Sequence, residues 1–190
     1  GMLDISWGRA VPNLEIYAPC DEDSLRECMI YASKRNGPTL IRYPRGKIPP
    51  VKLSVESNGE GIVKIHDGEK WALLGNGTGV GIILDARDMA GNEGVDVPAV
   101  YDVRRVKPVD ADAVDGILRR YKTVAVVEDN YMAGGFGEAL GAIIAEGGYG
   151  TRLLRFGVPD VCVKHATQSE QRELYGLTAR NILDSYKNEE

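Results

Sequence analysis

Apolar and polar positions along this chain trade off in short blocks that switch between the period of a strand and that of a helix. Residues 14–18 are rich in strand formers. Asp21 then stands as a helix N-cap ahead of Leu25, Cys28, Met29 and Ala32, which recur at helical spacing. Arg35-Asn36-Gly37-Pro38 stops that helix, and residues 39–43 resume strand character before the basic turn Arg42-Tyr43-Pro44-Arg45-Gly46-Lys47. Residues 48–60 carry prolines, serines and a Ser57-Asn58-Gly59 turn without periodicity, which predicts a linker. Beyond it the order is regular: strands over 71–74, 98–103, 123–127 and 151–156, with helices over 80–89 and 137–146 and others capped by Asp110, Thr167 and Thr178. Thr167 and Glu170 form a capping-box pair. The unbroken apolar run of 123–127 is the mark of a parallel strand covered on both faces. Strands alternating with helices predict a doubly wound, mostly parallel α/β domain over residues 61–190. Residues 1–47 supply only a strand, a helix and a second strand, too little to cover both faces of a sheet, and look like the end of another α/β domain.

Composition narrows the function. The chain has 190 residues, 23 basic against 28 acidic, for a net charge of −5. That balance argues against a protein held on nucleic acid by phosphate neutralisation. Cys20, Cys28 and Cys162 form no CxxC pair and are odd in number, so neither a zinc site nor a disulfide framework is indicated, and a reducing, cytoplasmic setting is expected. No apolar run reaches the roughly 18–20 residues that a membrane span needs. The two histidines, His66 and His165, lack the spacing of a metal site, and no GxSxG elbow is present.

Glycine, with 23 residues, is in excess, and two glycine-rich stretches invite a ligand. The first, Gly75-Asn76-Gly77-Thr78-Gly79-Val80-Gly81, follows a strand but fails the GxGxxG register, and no Gly-Lys-Ser/Thr follows. A tight strand-to-helix turn is expected there. The second, Gly134-Gly135-Phe136-Gly137, follows Glu128-Asp129-Asn130 at the end of a buried strand, where α/β sheets open toward ligands. Close helix packing is the competing explanation. The basic turn is the strongest chemical feature, since guanidinium forks at Arg42 and Arg45 suit phosphate or carboxylate.

The series of motifs resembles one family. Asp4-Ile5-Ser6-Trp7-Gly8-Arg9-Ala10-Val11-Pro12-Asn13, Ala18-Pro19-Cys20-Asp21-Glu22 and the RYPRG turn ending at Gly46 are similar to the close of the pyrimidine-binding domain of 1-deoxy-D-xylulose-5-phosphate synthases. The segment from Asp102 to Asp110, the VVEDN and GGFG stretches, Gly157-Val158-Pro159-Asp160 and TQSEQRELYGLT resemble landmarks of the same family's transketolase C-terminal domain. Val163-Lys164-His165-Ala166 departs from the Pro-Gln-Gly-like stretch expected there. The resemblance implies residues 1–47 as a remnant of the pyrimidine-binding domain, 48–60 as linker and 61–190 as the C-terminal domain. It implies thiamine diphosphate and Mg²⁺ in the full enzyme, held by a preceding region and not by this chain alone. It further implies a homodimer, and Arg45 as the arginine on the substrate phosphate, with Arg42 as helper and Arg9 near the entrance. Transketolase and the beta subunit of 2-oxoacid dehydrogenases share this domain and are alternatives, as is a non-catalytic assembly module.

Overall fold

A computed structural model describes residues 2–44 and 61–188. In chain order the elements are α1 (Asp4–Ala10), β1 (Glu15–Tyr17), α2 (Glu22–Lys34), β2 (Thr39–Ile41), β3 (Ile62–His66), β4 (Trp71–Asn76), α3 (Gly79–Asn92), β5 (Ala99–Val103), β6 (Arg105–Lys107), α4 (Ala111–Arg120), β7 (Thr123–Tyr131), α5 (Phe136–Gly147), β8 (Arg152–Val158), α6 (Gln168–Leu174) and α7 (Ala179–Lys187). The expected caps are in place. Asp21 accepts from Ser24 N at 2.8 Å, Asp110 from Ala113 N at 3.1 Å, and Thr178 from Asn181 N at 3.2 Å, while Thr167 and Glu170 close their box reciprocally.

The large sheet has the order β3-β5-β4-β7-β8. β5, β4, β7 and β8 run parallel, as the apolar strands predict, and β3 joins β5 antiparallel at the edge. Strand residues alternate between two cores. Trp71, Leu73, Val100, Ala125 and Val127 pack against α3 and α7, with the Trp71 and Tyr186 rings stacked at 4.0 Å. Ala72, Leu74, Ala99, Val124 and Val126 pack against Val114, Ile117 and Leu118 of α4 and Phe136 and Leu140 of α5.

The amino-terminal segment is built into the second of these cores. Ile5, Leu14, Ile16 and Ala18 join the same cluster as Leu74 and Phe136. The short strands expected in residues 1–47 also gain a partner that their sequence does not announce. β1 pairs parallel with β2 on one side and antiparallel with β6 on the other, giving the order β2-β1-β6. Only Arg104 separates β5 from β6, so the chain leaves the large sheet and enters the small one within a residue. Among the described residues no helix is long and apolar enough to cross a membrane.

Candidate functional site at the carboxyl ends of β4 and β7

In a parallel sheet, ligand crevices form at the carboxyl ends of strands where the winding reverses. Here the chain goes from β4 to β5 on one side and later returns to place β7 on the other, so the reversal lies between β4 and β7. Polar residues are buried at that point. Asn76 and Glu128 stand in register at the strand ends and are each 1% exposed. Both side-chain amide atoms of Asn76 find no hydrogen-bond partner among the described residues.

The glycine-rich stretch after β4 makes the tight strand-to-helix turn that its sequence predicts. β4 continues through Asn76 and α3 begins at Gly79, which leaves Gly77 and Thr78 as the turn. Gly77 sits at φ 51°, a conformation that favours glycine, and its N–H donates to Ala18 O at 2.9 Å. The amino-terminal segment thus lies across the crevice. Thr78 Oγ1 donates to Asp129 Oδ2 at 3.0 Å. Arg42 Nη2 donates to the Asp129 carbonyl at 2.7 Å and stands 3.8 Å from Oδ2, with both side chains 10% exposed. Arg42 Nη1 is buried and finds no partner among the described residues.

The second glycine stretch holds a carboxylate of its own chain. Glu128 accepts from Phe136 N at 2.9 Å and Gly137 N at 3.1 Å, so it occupies the positive end of α5 where an external anion would otherwise bind. A Cβ on Gly135 would collide with that carboxylate, which explains the glycine. Burial pushes the Glu128 carboxyl up to about 7, against the opposing pull of the two amides, Arg155 and Arg9. Arg9 Nη1 donates to Gly134 O at 2.7 Å and to Gly135 O, and Arg155 donates to Met132 O. Ser6 Oγ donates to Ala133 O at 2.7 Å, which ties α1 to the same turn.

A third polar cluster anchors α2. Arg104 donates from Nε to Asp102 Oδ2 at 2.8 Å and from Nη1 to Glu27 Oε2 at 2.5 Å, and Cys20 Sγ donates to Asp102 Oδ2 at 3.4 Å. Burial holds the Cys20 and Cys28 thiols well above the ordinary cysteine range, so neither is a nucleophilic thiolate at neutral pH.

Of the arginines singled out from sequence, Arg42 and Arg9 reach the neighbouring residues Asp129 and Glu128 at the end of β7, Arg42 by direct contact and Arg9 through the turn that Glu128 caps. Arg45, Lys47 and the linker 48–60 lie outside the described residues. Sequence reasoning passed over Asn76, Thr78, Glu128 and Asp129 as site residues. Their available signal was a run of acids and amides at the end of an apolar strand. His66 closes β3 and His165 lies between β8 and α6, both exposed. Among the described residues no three His, Cys, Asp or Glu side chains gather as a metal would need.

Comparison with known proteins places this arrangement. The family described as Transketolase, C-terminal domain matches residues 59–182. The chain is 38% identical over 192 residues to the 1-deoxy-D-xylulose-5-phosphate synthase of Syntrophotalea carbinolica, covering 99% of this chain and 30% of that protein. It is 35% identical over 189 residues to the synthase of Syntrophomonas wolfei, covering 97% of this chain and 29% of that one. The chain therefore spans about 30% of the length of these relatives. A solved structure titled as a split gene transketolase, inactive beta4 tetramer, superposes with a TM-score of 0.87 at 25% identity, over 99% of this chain and 61% of that one. The transketolase of Campylobacter jejuni shares the fold, with a TM-score of 0.76 at 14% identity, over 99% of this chain and 28% of that one. With two parallel-sheet cores, the β4–β7 reversal and a family match across β3 to α7, the chain belongs to the transketolase C-terminal domain family.

Proposed function

We propose that the chain is the carboxyl-terminal part of a 1-deoxy-D-xylulose-5-phosphate synthase-like transferase, which condenses pyruvate with glyceraldehyde 3-phosphate and releases CO₂. The observation that carries this reading is identity of 34–38% to several such synthases, continuous over nearly the whole chain and not confined to the C-terminal domain. In this reading thiamine diphosphate, with its Mg²⁺, supplies the carbanion chemistry and is held by an amino-terminal region. This chain's own part is positional. The Arg42–Asp129 contact holds the strand that leads into the RYPRG turn against the C-terminal domain, and Arg45 meets the substrate phosphate. Leu3, Trp7, Met29, Ile30 and Tyr43 are exposed apolar residues of the amino-terminal segment, a surface suited to covering by that region and by a second copy in a cytoplasmic homodimer. The split transketolase superposition favours a second reading, a separate subunit of a transketolase-like enzyme.

The test joins or mixes the chain with the amino-terminal two thirds of the Syntrophotalea carbinolica synthase. The combined protein is expected to bind thiamine diphosphate with Mg²⁺ in calorimetry and to release CO₂ from pyruvate on addition of glyceraldehyde 3-phosphate, while the chain alone does neither. Saturable cofactor binding by the chain alone, or a folded and cofactor-loaded combination without turnover, overturns the reading. In the active combination, Arg45→Ala is expected to raise KM for glyceraldehyde 3-phosphate about thirtyfold, because loss of a charge pair costs about 2 kcal/mol or more. KM for pyruvate, which carries no phosphate, should barely move, and Arg45→Lys should recover part of the loss. Equal losses for both substrates would remove Arg45 from the phosphate.

A further inference from the structure

The amino-terminal ends of the strands, at the far side of the sheet from Arg42 and Asp129, carry a feature that the transferase reading does not use. Parallel pairing sets Trp71 beside Thr123 and Thr123 beside Arg152, so β4, β7 and β8 begin in one row. Lys70 and Lys122 immediately precede two of these starts, Arg152 is the third, and Arg120 ends α4 next to them. The four cations converge with Glu69 and Tyr186 around a cavity of about 450 Å³.

We infer that this cavity is a binding site for a small, soluble polyanion of the phosphate class. Four cations face it against one carboxylate in a chain whose net charge is −5, so the local excess of positive charge runs against the composition. Like charges held around one hollow repel each other, and an anion among them relieves that repulsion. Two of their pairings are weak competitors. Lys70 is 2.7 Å from Asp96 and Arg120 is 3.8 Å from Asp67, but both pairs are exposed and screened by solvent. Lys122 has no carboxylate partner among the described residues. Arginine forks combined with lysine point charges match the clustered oxygens of a phosphate ester or pyrophosphate. The volume lies within the roughly 300–1,000 Å³ usual for small-molecule sites. Tyr186, its ring fixed by stacking on Trp71, gives the cavity a rigid aromatic wall.

Inorganic pyrophosphate is the probe, titrated into the whole chain by calorimetry at low ionic strength with thermal melts in parallel. Saturable binding that raises Tm and weakens with added salt is expected. Lys122→Gln combined with Arg152→Gln should weaken it at least about tenfold, the loss expected from removing two charge-assisted contacts. Arg26→Gln combined with Lys34→Gln removes the same charge from α2 and should leave it unchanged. Absence of saturable binding at millimolar pyrophosphate overturns the inference, as does equal weakening by both double variants, which would mark a diffuse charge effect. The inference does not rest on the transferase reading, and either can fail without the other.

Discussion

Glu128 joins a stabilising contact and a costly burial in one side chain. Its carboxylate caps α5 through two amides, yet burial raises its pKa from 4.5 to about 7. The folded state therefore holds a proton that the unfolded chain releases between these values. The stability contributed is full below pH 4.5 and is lost as pH rises through 7. Glu128→Gln removes this titration. Denaturant unfolding from pH 4.5 to 8 should show wild type losing about 1–3 kcal/mol relative to the variant; parallel pH curves for the two proteins would contradict it. At this scale the sequence was legible for residue type more than for role. Arg42 and Arg9 are recognisable as functional candidates because a guanidinium at a turn is conspicuous, and the structure gives both of them carbonyl partners. Asp129 and Asn76 were not, because a carboxylate and an amide at strand ends have no spacing of their own. Only the fold shows that Asp129 receives both Thr78 and Arg42.

Elements with strong periodicity or caps were legible, and those made by partners were not. The apolar starts of β4 and β7 and the caps Asp21, Asp110, Thr167 and Thr178 stand where their residues indicate. β7 nevertheless continues from Val127 to Tyr131 through Glu128, Asp129 and Asn130, residues that disfavour strands on their own. Its polar end persists because a backbone amide of α5 donates to Glu128, Asn130 Nδ2 donates to Ser6 Oγ and Arg42 donates to the Asp129 carbonyl. β6, three residues long and one residue beyond β5, carries no local signature and exists because β1 offers it an edge. β3 shows the same dependence from the other side. Its Val63 is buried while Lys64 points outward, a charged edge that resists further pairing. The tight turn expected from the glycines after β4 is in place, and most of those glycines lie inside β4 and α3.

On the scale of the whole molecule, the proposed boundary at residues 48–60 separates two stretches of chain that share one core. Limited proteolysis is expected to cut between residues 44 and 61, and the two products should then elute together in native gel filtration, parting only in denaturant. Ile5, Leu14 and Ile16 are buried in a cluster built mainly by the later residues, and each buried aliphatic side chain contributes about 1.5–3 kcal/mol to that association. Products that separate without denaturant would show that the β1–β6 ladder and the common core are too weak to hold them, and a chain without an early cut in this region would count against the boundary. The same ladder has a consequence for biosynthesis. Ile16 pairs with Lys107, about 90 residues later. At roughly 5–20 residues per second, a ribosome needs roughly 5–18 s to deliver the second strand after the first. For that interval the newly made β1 edge and the apolar side chains of α1 wait outside the exit tunnel without their cover. Nascent-chain chaperones would meet them then, and slow codons placed between the two strands would lengthen the exposure.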